Sequence, residues 1–553
     1  MPLEGFVGPK KEDLEKYSRM GWWQNITLGD VLDRAAELYP DKVALVDDRS
    51  RLTYAELRGK VDRLARGLMK LGISQGDCVL LQLPNWSEFV WALFALHKLG
   101  APAVLLLSRH MQIEINHFCS LTRAKAWIVP EQYHRTDYLP TIDDVMRANP
   151  QMEHVILVKS SRKPPFISLD SLIQEVDSVS STGQALSGRD NVGLARRRPD
   201  ATEVAFILPT GGTTGLPKAV PRTHSDAVCE AKYKAQAREQ DADAICLIST
   251  PLEHNLGLAA LNSTFFSFGT VVLLDSTKPE DFCAAVQRER VTCAPLVPTL
   301  LGRLVDFDRL GEYDLTSLKA LYVGGAKTPS EVIRAVHQRI GKVYVSAFGM
   351  SEGPTCTTKL SDPEAVIIDT IGRPCCPYDE FKVVDETGEE LPSNVEGELL
   401  CKGPGIFTGY LNHPEENERA FTESGFFRTG DLAMIDNAGN IRITGRIKDI
   451  IIRGGENISP VEIESLLRTH PDVEDVAVVG TPDPELGERA CAYIKPRQGA
   501  RPALEDIVAF LKSKGASVLQ LPERVELIPD IPLTKIGKAD KKALREDIKK
   551  RLG

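Results

Sequence analysis

The strongest constraint on the fold is a repeated alternation of helix-like and strand-like segments. Between residues 29 and 110, apolar side chains recur at spacings of four and three, typical of one helix face, at Leu57, Val61, Leu64, Leu68 and Leu71. Strand-length apolar runs, CVLLQL and 101–107, flank a second helical segment, 87–99. The same rhythm returns between residues 244 and 323. This βαβ pattern predicts an α/β fold with largely parallel sheets covered by helices.

The pattern changes after about residue 378. Short apolar segments are joined by Asp-x-x-Gly turns, as in LAMIDNAGNIRITG, which predicts hairpins and a small antiparallel β unit. Strand and helix signals alternate again after Arg446, which indicates an α+β domain of ordinary size. We therefore expect an N-terminal body of βαβ-type subdomains plus a small β unit, residues 1–447, and a mobile C-terminal α+β domain, residues 448–553.

Composition narrows the classes of function. Lys+Arg 67 against Asp+Glu 77 gives a net charge of −10, which argues against a nucleic-acid binder but allows small anionic ligands in a local positive pocket. The 11 cysteines include no CxxC pair, and the N-terminus has no signal-peptide core, so we expect reduced thiols in a cytoplasmic protein. The most apolar stretch, 89–107, is interrupted by His97, Lys98 and Pro102, so we expect buried core and no membrane association.

A loop rich in glycine and threonine follows the apolar strand VAFIL. Its glycines let backbone N–H groups approach phosphate oxygens, its hydroxyls donate further hydrogen bonds, and its lysine adds charge. The GxxxxGK[ST] spacing of a Walker A motif is absent. A surface turn is the alternative, but the preceding strand and the Pro-Lys ending favour a phosphate-binding loop. Its candidate residues are Thr210, Gly211, Gly212, Thr213, Thr214, Gly215 and Lys218.

Four more segments accompany this loop in a fixed order. They are Phe348-Gly-Met-Ser-Glu352, Thr429-Gly-Asp431, Gly445-Arg-Ile-Lys-Asp449 and Pro532-Leu-Thr-Lys-Ile-Gly-Lys538. With them the chain resembles, over essentially its whole length, the adenylate-forming superfamily of acyl-CoA synthetases, aryl-acid AMP ligases and nonribosomal adenylation domains. The resemblance implies an enzyme that joins a carboxylic acid to ATP, releases pyrophosphate and passes the acyl group to a thiol.

The resemblance also implies roles for individual residues. Lys538 is expected to bridge the substrate carboxylate and the phosphate, and Glu352 to bind Mg²⁺. Asp431 is expected to accept hydrogen bonds from the ribose hydroxyls, with Arg446 beside it. Lys538, His254 and Glu352 are the candidate catalytic residues. The other nucleotide-contacting candidates are Gly324, Gly325, Ala326 and Ser351.

The pair His254-Asn255 indicates which carboxylic acid is the substrate. It resembles the His-Asn of ligases for 2,3-dihydroxybenzoate and salicylate, where the Asn meets the ortho substituent, and an amide suits either 2-OH or 2-NH₂. Two positions depart from the dihydroxybenzoate enzymes: Ala260 stands in place of serine and Leu256 in place of an aromatic residue. A 3-hydroxyl would lack a partner, at a cost of about 1–3 kcal/mol. We therefore expect a mono-ortho-substituted benzoate, anthranilate or salicylate, in a pocket that includes Ala347, Gly349 and Thr355.

The thiol acceptor is less sharply indicated. In the superfamily the C-terminal domain rotates about a hinge, here Lys448, and brings a loop, here Arg453, Gly454 and Gly455, to a pantetheine tunnel. The segment KDIIIRGGENISPVEIE looks more like acyl-CoA ligases than like ligases that load carrier proteins. Coenzyme A is therefore the expected acceptor. The phosphopantetheine of an aryl carrier protein is the alternative.

Overall fold

The computed structural model describes most of the chain. The described residues are 3–160, 166–174, 194, 197–210, 216–453, 456–484, 486–514, 516–534 and 538–552. Two large sheets, one small antiparallel sheet and a C-terminal sheet account for nearly all strands. The remaining strands are a two-stranded hairpin, Gln132–Tyr133 with Thr136–Asp137.

The larger sheet has nine strands. In spatial order they are Arg373–Pro374, Thr355–Thr357, Tyr344–Gly349, Ala320–Val323, Cys293–Leu296, Ile245–Ile248, Thr270–Leu273, Val43–Val46 and Arg51–Thr53. Every pair between Tyr344–Gly349 and Val43–Val46 is parallel, and the strands outside them are antiparallel. The parallel centre confirms the α/β class predicted from the βαβ rhythm.

The second sheet has seven strands. In spatial order they are Ala219–Thr223, Val204–Pro209, Ala103–Leu105, Val79–Leu81, Ala126–Pro130, His154–Val158 and Ile167–Ser168. The sheet is parallel except for the hairpin formed by its first two strands. This hairpin holds both ends of the glycine- and threonine-rich loop.

Five helices fill the space between the two sheets. They are Leu28–Leu38, Tyr54–Lys70, Ser87–Leu99, His224–Ala237 and Asn255–Phe266. Every residue of Ser87–Leu99 is buried, because a helix between two sheets has no solvent face. The prediction of buried core over 89–107 is therefore confirmed. Within the described ranges, no helix has both the length and the apolarity that crossing a membrane requires.

The outer faces of both sheets carry their own helices. Gln112–Thr122 and Leu139–Ala148 cover the seven-stranded sheet. The nine-stranded sheet is covered by Pro279–Glu289, Pro298–Val305, Ser330–Arg339 and Glu364–Asp369. Alternate residues of a strand serve the two faces: Cys246 packs in the inner core, whereas Leu247 packs in the outer one. The remaining short elements of this part are Lys11–Arg19, Asp308–Glu312 and Pro414–Ala420.

The predicted antiparallel unit is a four-stranded sheet. Its strands are Glu380–Val384, Gly397–Lys402, Phe427–Ile435 and Ile441–Arg446. The last two form a hairpin whose turn is held by Asp436, which accepts hydrogen bonds from the backbone N–H groups of Ala438 and Asn440. The register of this hairpin sets Asp431 opposite Arg446.

A separate sheet follows the short helical turn Ile447–Asp449. Its strands are Glu456–Ile458, Ile451–Arg453, Gly487–Pro496, Val473–Asp483 and Arg524–Leu527. The accompanying helices are Pro460–Leu467, Leu504–Ser513, Val518–Gln520 and Lys541–Leu552. Two hydrophobic clusters of this part contain no residue before Ile451. The sequence reading missed the strand Gly487–Pro496, because its five buried residues, 490–494, lie between charged ends.

The helix that carries Asn255 depends on burial against both sheets. Phe265 is fully buried, whereas its neighbour Phe266 is only partly buried. We expect Phe265→Ala to destabilise the protein by about 3–5 kcal/mol, because it removes contacts and leaves a cavity. Phe266→Ala is the matched control and should cost less. Unfolding midpoints by calorimetry test this, and equal losses in the two variants would contradict the assigned packing.

Candidate active site

The predicted motif residues lie where strands end. Gly324 follows the strand Ala320–Val323, and the segment from Met350 to Glu352 follows Tyr344–Gly349. Ligands of α/β sheets bind at the carboxyl ends of the strands. A Cβ on Gly324 would lie 2.6 Å from the carbonyl oxygen of Ala347, so only glycine fits where these two strands end. Ser351 Oγ lies 3.4 Å from the carbonyl oxygen of Pro209 and brings the phosphate-loop strand to the same edge.

The ends of the glycine- and threonine-rich loop are held together. The backbone N–H of Thr210 donates to the carbonyl of Lys218 at 2.9 Å, and the N–H of Lys218 donates to Thr210 Oγ1 at 3.0 Å. Thr210 and Lys218 therefore lie at this edge of the sheets, which we call the cleft. The loop residues between them, Gly211, Gly212, Thr213, Thr214 and Gly215, lie outside the described residues.

Lys218 and Glu352 are linked through one tyrosine. Lys218 Nζ lies 2.6 Å from Glu416 Oε1 and 4.0 Å from the ring centroid of Tyr410. The Tyr410 hydroxyl donates to Glu352 Oε1 at 2.8 Å. Glu352 itself is buried. Lys218 and the carboxylate predicted to bind metal therefore lie at one end of the cleft.

Asp431 offers a free acceptor. Arg446 Nε lies 2.7 Å from Asp431 Oδ1, as the strand register dictates. Asp431 is 2% exposed, and its Oδ2 is buried without a hydrogen-bond partner among the described residues. Burial raises the pKa of this carboxyl, although Arg446 opposes the shift. Since an unpartnered buried acceptor is costly, Oδ2 is suited to a ligand hydroxyl.

Lys538 reaches the same cleft from the C-terminal part. Its backbone N–H donates to Thr534 Oγ1 at 3.2 Å, and its carbonyl accepts from the N–H of Thr534 at 2.7 Å. A Cβ built on Gly325 would lie 3.9 Å from Lys538 Cε. The residue as a whole is exposed to solvent, whereas its side chain extends into the cleft beside Gly325. Desolvation of the ammonium, with the positive charge of Arg446 next in importance, lowers the pKa of Lys538 to about 8.

His254 caps the helix Asn255–Phe266 and is neutral. Its Nδ1 accepts a hydrogen bond from the N–H of Leu256 at 3.3 Å. Burial, and to a lesser degree the charge of Lys538, lowers the pKa of His254 to about 4. With Nδ1 acting as acceptor, the proton of the neutral ring sits on Nε2. His254 can therefore donate a hydrogen bond but does not carry a charge at neutral pH.

Asn255 lies beside residues predicted to form the acid pocket. Its Nδ2 donates to the carbonyl of Met350 at 2.7 Å. A Cβ built on Gly349 would lie 3.5 Å from Thr355 Cγ2 and 3.7 Å from Asn255 Nδ2. Ala347 belongs to the same strand as Gly349 and is buried. Ala260, further along the helix of Asn255, packs into the inner core.

Of the predicted hinge and thiol-loop residues, Lys448 lies near enough to the cleft for its charge to act on Asp431 and Lys538, whereas Arg453 is paired elsewhere. Lys448 is in the turn Ile447–Asp449, where Arg545 lies 2.8 Å from Asp449. Burial lowers the pKa of Lys448. Arg453 is paired with Glu523 and also donates to the carbonyl of Val518. Gly454 and Gly455 lie outside the described residues.

Comparison with known proteins decides the family. The model of the AMP-binding enzyme family matches residues 32–411, and that of the AMP-binding enzyme C-terminal domain matches 462–538. The chain belongs to the AMP-binding enzyme family. Its C-terminal match ends on Lys538, and its N-terminal match ends one residue after Tyr410.

Relatives in this family cover the full length of the chain. A 2,3-dihydroxybenzoate-AMP ligase of Bacillus subtilis is 38% identical over 100% of this chain and 99% of the relative. A salicylyl-CoA synthase / salicylate adenylyltransferase of a Streptomyces species is 35% identical over 99% of this chain and 98% of the relative. The apo structure of Mycobacterium smegmatis MbtA has a TM-score of 0.72 at 36% identity, covering 98% of each chain. The chain is thus an adenylate-forming ligase with aryl-acid ligases among its relatives.

A divalent metal fits this AMP-binding site only together with a phosphate ligand. Among the described residues, no group of three or more His, Cys, Asp or Glu side chains could hold a metal ion. Glu352 provides one buried carboxylate, of which Oε1 already accepts from Tyr410. Mg²⁺ usually combines one or two carboxylates with substrate phosphates and water, so the donor set fits it.

The sequence motifs missed three site residues. Tyr410 and Glu416 contact Lys218, and neither belongs to a motif that sequence reasoning selected. Arg222 is fully buried and donates to the carbonyls of Ser351 and Gly405. Arg222 belongs to the strand Ala219–Thr223, and the sequence alone assigned no role to its guanidinium.

The lowered pKa of Lys538 predicts selective reactivity. At pH 8 about half of its amines are unprotonated, against well under about 1% for an ordinary lysine, and this fraction is lost as the pH falls. Brief acetylation followed by peptide mass spectrometry should therefore modify Lys538 first, and MgATP should protect it. The exposed lysines Lys549 and Lys550 serve as internal controls. Equal rates at all three positions would contradict this environment for Lys538.

Proposed function

We propose that the protein activates a mono-ortho-substituted aryl acid, anthranilate or salicylate. The acid reacts with ATP to give an aryl-adenylate and pyrophosphate, and the acyl group then passes to the thiol of coenzyme A with release of AMP. The observation that carries the proposal is the convergence of Lys538, Asp431 and His254 on one cleft, since the charge of Lys538 acts on both of the others.

The nucleotide would span the cleft from the phosphate loop to Asp431. Thr210 and Lys218 are assigned to the phosphates, and the free Oδ2 of Asp431 to the ribose hydroxyls. Gly324, Gly325 and Ala326 are assigned to the base, with Ser351 nearby. Mg²⁺, when bound through Glu352, would supply positive charge to the phosphates.

Lys538 would overcome the repulsion of the first step. A carboxylate oxygen attacks the α-phosphorus, the bond to the bridging oxygen breaks, and pyrophosphate leaves with its electron pair. Two like charges about 4 Å apart repel by about 4 kcal/mol at a surface-like dielectric. An ammonium between them offsets that repulsion, and its effect is greatest where charge develops. Bound anions would raise the pKa of Lys538 and keep it protonated.

Asn255 supports an ortho substituent that donates a hydrogen bond. One N–H of its NH₂ group donates to the carbonyl of Met350, which orients the amide and leaves Oδ1 available to accept a hydrogen bond from the ligand. A 2-OH or 2-NH₂ group can donate to that oxygen, whereas a 2-fluoro group cannot. The absence of a serine at Ala260 argues against a 3-hydroxyl, since a buried hydroxyl without a partner costs about 1–3 kcal/mol.

Transfer to the thiol would need a second arrangement of the chain. We infer that residues 448–553 rotate as a domain about Lys448, removing Lys538 and bringing the loop of Arg453 to the thiol. Coenzyme A is the proposed acceptor, and one relative is named a CoA synthase. A carrier-protein phosphopantetheine is the second candidate. It is favoured by the ion pairs of Arg453 with Glu523 and of Arg489 with Asp483, which occupy two arginines that CoA phosphates could use.

Pyrophosphate exchange with a matched panel of acids tests the first step. Salicylate and anthranilate should exchange at least tenfold faster than benzoate and 2-fluorobenzoate, which lack an ortho donor. Lys538→Ala should abolish exchange while ATP still binds. The proposal fails if 2,3-dihydroxybenzoate is activated as well as either predicted acid, or if 2-fluorobenzoate matches salicylate. Thioester formation with CoA or with a holo carrier protein then decides the acceptor.

The side chain at position 260 is predicted to set ring selectivity. Ala260→Ser adds a hydroxyl on the helix of Asn255 and should improve kcat/KM for 2,3-dihydroxybenzoate relative to salicylate by about tenfold, the equivalent of one hydrogen bond. Ala259→Ser, on the same helix, is the control. An unchanged ratio in the Ala260 variant would show that this position does not face the 3-position of the ring.

A further inference from the structure

One aromatic side chain contacts both charged groups at the phosphate end of the cleft. The ring of Tyr410 lies 4.0 Å from Lys218 Nζ, and its hydroxyl donates to Glu352 Oε1 at 2.8 Å. We propose that Tyr410 is a positioning residue that fixes the ammonium of Lys218 relative to the carboxylate of Glu352. The inference rests on the proposed function in one respect, the assignment of ATP phosphates to this end of the cleft.

The backbone of Tyr410 is held on two sides. Its N–H donates to Asn417 Oδ1 at 2.7 Å, and its carbonyl accepts from Asn417 Nδ2 at 2.9 Å. The next residue, Leu411, donates its N–H to the carbonyl of Ala219 at 3.1 Å, directly beside Lys218. The tyrosine ring is therefore fixed against the strand that begins after Lys218.

Glu352 is held by the same segment. The N–H of Phe407 donates to the carbonyl of Glu352 at 2.8 Å, so backbone and side chain are bound from one loop. Gly353, at φ +110°, packs so closely on the carbonyl of Gly405 that a Cβ would overlap it. Oε1 is turned toward Tyr410, which leaves Oε2 for another ligand. Hydrogen bonds to a metal-binding carboxylate commonly set its orientation and the metal affinity.

The two contacts of Lys218 differ in how a nucleotide would affect them. Glu416 Oε1, 2.6 Å from Lys218 Nζ, is an anion and competes with a phosphate for the same ammonium. The face of an aromatic ring attracts a cation without carrying a net charge, so Tyr410 can keep its place when a phosphate arrives. Glu416 is thus the exchangeable partner and Tyr410 the permanent one.

Tyr410 acts as a hydrogen-bond donor and not as an acid. Its hydroxyl is 2.8 Å from Glu352 Oε1 and donates to it. The protonated hydroxyl requires an acceptor, and the Glu352 carboxylate provides it. No proton transfer is needed for this positioning role.

ATP titrations of the full-length protein distinguish the effects of the two contacts of Tyr410. Tyr410→Phe keeps the ring over Lys218 but removes the hydrogen bond to Glu352, whereas Tyr410→Leu removes both. The control is Tyr493→Phe, which removes a partly buried hydroxyl–carboxylate hydrogen bond to Asp547, 2.7 Å long, in the C-terminal part. Each protein is titrated with ATP by calorimetry, first in EDTA and then in saturating Mg²⁺, without any aryl acid.

We expect Tyr410→Phe to bind ATP in EDTA within about twofold of the wild type. The gain in affinity on adding Mg²⁺ should fall about tenfold, the low end of the effect of losing a hydrogen bond to a metal ligand. Tyr410→Leu should also lose about threefold or more in EDTA, in line with a lost cation–π contact. Tyr493→Phe should change neither quantity.

Three results would overturn the inference. They are an unchanged Mg²⁺ gain in Tyr410→Phe, a loss in EDTA as large for Tyr410→Phe as for Tyr410→Leu, and a wild type that binds no ATP. If Tyr410→Leu does not fold, Tyr410→Phe still decides the Mg²⁺ effect against the wild type. These titrations contain no aryl acid. If they give the expected results but the predicted acids support no pyrophosphate exchange, only the aryl-acid assignment is overturned.

Discussion

The site depends on a buried guanidinium. Arg222 is fully buried, and its Nε and Nη2 pair with Asp226 at 2.7 Å and Glu230 at 3.0 Å. The same group donates to the carbonyls of Ser351 and Gly405, which belong to the two loops that carry Glu352 and Tyr410. A buried ion pair contributes little net stability, but losing one partner leaves an uncompensated charge. Arg222 therefore joins the inner helix His224–Ala237 to the loops of the cleft, and separating these loops would break its buried hydrogen bonds to their carbonyls.

More cationic than anionic side chains line the cleft. Lys538, Arg446 and Lys448 act on one another, which is one reason why the pKa of Lys538 is lowered to about 8. Within the described ranges, Lys218 is ion-paired with Glu416, whereas no carboxylate lies within 4.0 Å of Lys538 Nζ. The two lysines are thus prepared differently. In the proposed reaction, Lys218 would exchange its partner Glu416 for a phosphate, and Lys538 would receive its first close anion from the ligands. Such a preorganised cation is more effective than one that must first shed water or a partner.

Local sequence patterns predicted most helices and strands. The site contacts that they did not predict join residues far apart in the sequence. The apolar run 87–99 is a helix because it is packed between two sheets, and the run was visible in the sequence. Asp431 and Arg446 meet because a hairpin joins them, and both lay in motifs. Lys218 and Glu416, 198 residues apart, meet only through the tertiary fold. The orientation of the Asn255 amide is equally tertiary, because Met350 provides its acceptor, whereas the helix cap of His254 is a local contact with Leu256.

The hydrogen bond of the Asn255 amide connects the predicted acid pocket to the segment that carries Glu352. The carbonyl it binds belongs to Met350, two residues before Glu352, so the acid pocket and the phosphate end share one short segment. Gly353, at the end of this segment, is packed too closely for a larger side chain, because a Cβ would overlap the carbonyl oxygen of Gly405. A ligand that shifts Asn255 would therefore act on the carboxylate of Glu352, whose orientation Tyr410 and Phe407 also hold. In the proposed function, the acid and the phosphates would therefore contact two parts of one five-residue segment, residues 349–353.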